Sequence, residues 1–99
     1  MKKASPQLEA FIDETIRISA EKGYHPTEFI RMRRDYDTIP AITRLVISGE
    51  IQSGFKRLDA LGLLDYTIEA AVLKFPEEFS KDARECAEYR LERLKLKDD

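Results

Sequence analysis

The chain has 99 residues, enough for one compact domain and too few for two of ordinary size. Apolar residues make up 42% and charged residues 36%, a mixture that excludes a wholly disordered chain. Seventeen basic and 19 acidic side chains leave a net charge of -2, which argues against a nonspecific nucleic-acid binder: that function needs a basic surplus to displace condensed counterions.

The chain is punctuated as a series of helices. "SPQLEAFIDETIRISAEKG" opens with Ser5 as N-cap and Pro6 at the first helical position, and Gly23 is placed to close it. At about 100° per residue, Leu8, Ile12, Thr15, Ile16 and Ser19 share one face with Phe11 and Ile18, and the charges lie opposite. "YHPTEFIRMRRDYD" repeats the grammar, with His25 ahead of Pro26 as cap or turn residue. In "TIPAITRLVISG", Thr38 is the expected cap, Ile42, Leu45 and Val46 the buried stripe, and Gly49 the terminator. "SGFKRLDALG" places Ser53 as cap, Phe55, Leu58 and Leu61 inward, and Gly62 at the end. Asp65 is the expected cap of "YTIEAAVLKF", which stops before Pro76 because a residue preceding proline avoids helical angles. A "PEEF" turn follows, and Ser80 caps the long "KDARECAEYRLERLKL" helix.

No segment alternates apolar and polar residues over strand length. The expected fold is therefore all-α: a compact orthogonal bundle of about six short helices, in one domain over 1–99, with frayed ends at 1–4 and 96–99. No stretch approaches the roughly 18 apolar residues of a membrane span, and the opening "MKKASPQLEAFIDE" has no apolar signal-peptide run. Cys86 is the lone cysteine, so no internal disulfide forms and a cytoplasmic setting fits.

Three charges fall on otherwise apolar faces. Glu69 lies between Val72 and Leu73, Arg33 among Phe29, Met32 and Tyr36, and Arg90 among Ala83, Cys86, Ala87 and Leu94. A lone buried charge costs several kcal/mol, so such groups occur in pairs, and arginine cannot escape by losing its proton. Glu69 is expected to pair with Arg90, with Arg33 or Asp65 extending the network. Such a group could bind phosphate or move a proton, but a buried pair that fixes helix orientation is the simpler role.

Other candidates for chemistry are sparse. His25 is the sole histidine and has no partner residue for metal or base chemistry; a catalytic use would need it to meet Glu69 and Arg90. Cys86 on an apolar face acts as a small hydrophobe. Ser48, Ser53 and Thr67 have no base in sequence reach, and the glycines of "SGEIQSGF" lack phosphate-loop spacing. No catalytic, cofactor or metal residues are assigned. "RMRRDYD" is the densest basic run, and Tyr24, Arg31, Arg34, Tyr36 and Arg44 form a candidate interface or anion patch, tempered by Glu28, Asp35 and Asp37. Helix-turn-helix proportions around residues 40–62 are weak, because Lys56 and Arg57 are the only strong polar readers on the second helix.

From Gly23 onward, "GYHPT", the Gly-Phe helix at Ser53 to Phe55 and "LDYTIE" at Leu64 to Glu69 together resemble a small uncharacterised bacterial all-helical domain. That domain occurs alone or as the C-terminal tail of larger proteins. The chain departs from its pattern at "RRDYDTIP", where the domain is more apolar and glycine-rich. The resemblance implies an autonomous helical module and no enzymatic activity. The expected function is non-catalytic association with a protein partner or with itself; the alternative is a nucleic-acid accessory role through Arg31, Arg34 and Arg44. No membrane partner and no cofactor are expected.

Overall fold

Ser5 begins the first helix by accepting the backbone N–H of Leu8 at 3.1 Å, so the chain turns helical at Pro6. The computed structural model describes residues 3–48 and 53–97, with side chains described at 3–48 and 56–93. Among these residues six α-helices run in the order α1 (Pro6–Glu21), α2 (Thr27–Tyr36), α3 (Thr38–Ile47), α4 (Ser53–Ala60), α5 (Ile68–Lys74) and α6 (Lys81–Lys97), with 3-10 turns at Leu64–Tyr66 and Pro76–Glu78 and no strand. The chain is an all-α bundle.

Two helices end on glycine as expected. Gly23 and Gly62 take φ of 88° and 75°, angles that only glycine adopts without strain. Each supports the paired closing bonds of a left-handed cap: Tyr24 N–H to Ser19 O at 2.9 Å beside Gly23 N–H to Ala20 O, and Leu63 N–H to Leu58 O at 2.8 Å beside Gly62 N–H to Asp59 O. Ser80 caps α6 through the Ala83 N–H at 3.2 Å. Phe75, held out of helical geometry by Pro76, closes α5.

Two capping expectations, Asp65 and Thr38, need correction. α5 begins two residues later than Asp65 implies, because Leu64–Tyr66 form a 3-10 turn first. Its cap is Thr67, extended at φ -87° and ψ 163°, whose hydroxyl accepts Ala70 N–H at 3.0 Å. Thr38 is the first residue of α3 rather than its cap; Asp37 takes the cap position at φ 74° and ψ 169°. α2 has no side-chain cap at all, and His25 is an exposed turn residue whose carbonyl accepts Thr27 N–H at 2.8 Å. Gly49 and the side chains of Ser53, Phe55 and Leu94 lie outside the described residues, as do Met1, Lys2, Asp98 and Asp99 at the ends where fraying is expected.

The apolar stripes meet in one cluster. Leu8 and Ile12 of α1, Ile42 and Val46 of α3, and Val72 of α5 are fully buried together. α6 contributes Ala83 and Ala87, also fully buried. Small side chains on that face let α3 and α5 pack closely against α6, which they do. Leu73, placed on the apolar arc by the wheel, is instead 39% exposed. Phe79, following the second 3-10 turn, caps the cluster at 5% exposure.

Candidate functional site

Glu69 and Arg90 are brought together in the interior. Arg90 Nη1 donates to Glu69 Oε2 at 2.8 Å, with the carboxylate side chain 1% exposed and the guanidinium side chain 7%. Burial is the strongest influence on Glu69 and pushes its carboxyl above the usual range, with the Arg90 hydrogen bond and its own backbone N–H pulling it back. Arg90 does more than answer that charge. The same Nη1 donates to Leu45 O at 3.1 Å, and Nη2 donates to Ser48 O at 2.6 Å. These carbonyls sit at the end of α3, where a cation offsets the negative pole of the helix. Glu69 lies in the first turn of α5, where an anion is favoured. One buried pair thereby joins α3, α5 and α6.

Neither Arg33 nor Asp65 extends this pair, contrary to expectation. Asp65 is exposed in the 3-10 turn. Arg33 builds a separate clasp: Nη2 donates to Glu9 and Nη1 to Asp13, both at 2.8 Å, while Nε donates to Thr38 Oγ1 at 3.0 Å. The Thr38 hydroxyl in turn donates to Glu9. Thr38 is 2% exposed, so this clasp fastens α2 and the start of α3 to the polar side of α1. Its desolvated but doubly paired guanidinium is held firmly charged.

Of the five residues of the candidate patch, Arg31, Arg34, Tyr36 and Arg44 are exposed. Arg44 stacks over the Tyr36 ring, 4.7 Å from its centroid, and Tyr36 is 49% exposed. Arg34 pairs with Asp35 at 3.2 Å, and Arg31 is exposed. Tyr24, expected on the exposed face, is half-buried in a pocket, and its hydroxyl pKa is raised by burial and by the charge of Glu28.

That pocket is half-open, with a volume of about 90 Å³. Tyr24, Phe29 and Tyr66 supply aromatic walls, Leu45, Leu58 and Ile68 aliphatic ones, and Thr67 and Glu69 complete the side formed by α5. Tyr66 is steadied by stacking on Phe11 at 6.5 Å between centroids. Sequence reasoning missed this site, since its walls come from residues 15 to 69 on several elements and no local spacing marks them. The nearest signal was the pair of small polar residues, Thr15 and Ser19, on the apolar face of α1.

His25 is exposed in the turn before α2, and Cys86 is half-buried against the core. Among the described residues no group of histidine, cysteine and acidic side chains is arranged to hold a metal ion, and no helix is long and apolar enough to cross a membrane. No family model, curated protein or solved structure matches this chain.

Proposed function

We propose that the chain is a non-catalytic protein-association module that engages a protein partner, or a second copy, through the exposed junction of α2 and α3. The observation that carries this reading is the Arg44 guanidinium resting on the exposed Tyr36 ring at 4.7 Å. Tyrosine and arginine are the residue types that dominate binding energy at interfaces, and here each limits the other's rotamers before any partner arrives. Ile47, one turn beyond Arg44 on α3, is 43% exposed and adds apolar area beside it. The strongest internal charges, Glu69, Arg90 and Arg33, are engaged in joining helices, which supports a structural role for them. The resemblance to a stand-alone or tail-borne helical domain agrees with such a role, and the lone Cys86 with a reducing, cytoplasmic setting.

Size exclusion with light scattering tests self-association, and affinity capture tests a heterologous partner. The double substitution Tyr36→Ala/Arg44→Ala should weaken either complex at least tenfold while leaving the helical circular dichroism unchanged. A strict monomer that captures no protein, or a complex indifferent to the double substitution, overturns the reading. The alternative, nucleic-acid association, rests on the exposure of Arg31, Arg34, Arg44, Lys56 and Arg57. It requires a mobility shift at low salt that declines steeply as salt rises. Interleaved Asp35 and the stacked Arg44 make it the weaker reading.

A further inference from the structure

The pocket beside α1 and α5 has a chemical character that the association surface does not use. Its side-chain hydroxyls have already committed their hydrogens: Thr15 donates to Ile12 O at 2.8 Å, Ser19 to Thr15 O at 2.7 Å and Thr67 to Leu64 O at 2.9 Å. Glu28 and Glu69 add two carboxylates, which only accept. Apart from the two tyrosine hydroxyls, the polar side chains described in the lining therefore present lone pairs and no donors. No lysine, arginine or histidine is among the described lining residues. Glu69 is balanced by Arg90, so among the described lining residues the uncompensated charge is that of Glu28, which is exposed and is felt at Tyr24. Aromatic rings on the walls attract cations to their faces.

We propose that this pocket binds a primary alkylammonium group, and that its occupant is the end of a lysine side chain presented by a protein partner. An ammonium group is three donors with a positive charge, the complement of a lining of lone pairs, π faces and one free carboxylate. Its methylene stem matches the aliphatic walls. Among the described lining side chains, an anion such as phosphate or carboxylate finds no cation and, apart from the two tyrosine hydroxyls, no donor. The size agrees as well: about 90 Å³ exceeds the space of one water and falls short of the ~150 Å³ cavity that admits benzene.

The test is a titration of the isotope-labelled full chain, followed by amide and methyl chemical shifts, with n-butylammonium, 1-butanol, butyrate and a doubly blocked lysine (acetylated and amidated). Butylammonium and blocked lysine should give saturable shifts at roughly millimolar concentration, centred on Tyr24, Ile16 and Ile68. Butanol should bind more weakly and butyrate not at all. Glu28→Gln and Tyr24→Leu should each weaken the ammonium about three- to fivefold, and added salt should weaken it in the wild type but little in Glu28→Gln. Glu28 is exposed, so its substitution leaves the fold intact. Butanol or butyrate binding as well as the ammonium, or affinity unchanged in Glu28→Gln, overturns the proposal. Binding of butylammonium without blocked lysine overturns the lysine assignment. These outcomes are independent of Tyr36 and Arg44, so failure here and failure of the association surface are told apart.

Discussion

Glu69 shows how one residue acquires meaning from its surroundings. Removing either partner of the Glu69–Arg90 pair leaves the other charge buried, which costs about 3–5 kcal/mol. Glu69→Leu and Arg90→Met are each expected to show losses of that order in urea unfolding. The double variant should lose less than the sum by about 2 kcal/mol or more, yet remain below wild type, because a methionine in place of Arg90 cannot hold the Leu45 and Ser48 carbonyls. pH adds a second check on the same residue. Burial raises the Glu69 carboxyl above its ordinary 4.5, so the folded chain keeps this proton where the unfolded chain releases it. That contribution to stability is complete below about pH 4.5 and is lost as pH rises through the folded value. Glutamine does not titrate, so wild type should gain on Glu69→Gln as pH falls from 7 towards 4. A gap that narrows on acidification would mean that Arg90 outweighs burial.

Asp37 carries the opposite lesson at residue scale. As the only residue between α2 and α3, it donates to Arg33 O at 2.9 Å and accepts Ala41 N–H at 3.1 Å. Serving both helices forces φ 74° and ψ 169°, a region that is essentially glycine's alone and costs other residues about 1–3 kcal/mol. Asp37→Gly gives back part of that gain through its freer unfolded chain, leaving about 1 kcal/mol of added stability. The expected readout is a Tm higher by about 4–8 °C. This strain lies inside "RRDYDTIP".

Elements start where side chains can reach the first free N–H groups, and α5 shows the consequence. Thr67, not Asp65, meets the Ala70 N–H, because the preceding 3-10 turn delays the helix. Thr67→Ala should therefore lower stability by about 1 kcal/mol, and Asp65→Ala should change it by less than about 0.5 kcal/mol. Chemical denaturation of the two variants side by side distinguishes the caps. At the same scale, α1 is held at its start by a residue far along the chain. Glu78, in the second 3-10 turn, accepts both the Ser5 N–H and the Ser5 hydroxyl at 2.7 Å. An acidic side chain at that pole satisfies free donors and favours the helix dipole together.

At the scale of the molecule, one small core closes the bundle. A domain of this length holds only about 5–15 kcal/mol in total, and a fully buried isoleucine truncated to alanine removes about 2–5 kcal/mol. Ile42→Ala, at the centre of α3 with no exposed surface, should lower the urea midpoint by more than about 1 M without altering the transition's slope. The two charge clasps sit at different places around this core. Glu69–Arg90 joins α3, α5 and α6, while Arg33 with Glu9, Asp13 and Thr38 joins α1, α2 and α3. α3 belongs to both, so its two ends are fixed by separate sets of charges.

The sequence by itself determined the all-α class, most helix ends and the inward stripes, because glycine angles, serine caps, proline and helical periodicity act within a few residues. It also marked Glu69 and Arg90 as charges in need of partners, since burial of an unpaired ion is prohibitive at any position in a core. Tertiary structure alone decided which acid Arg33 would meet, that Asp65 would stand apart, and that Tyr24 would turn into a pocket instead of a patch. Those outcomes join residues on different helices. Periodicity orients a face but says nothing of which neighbour it will meet, and the choice falls to how the bundle closes around Ile42 and Val72.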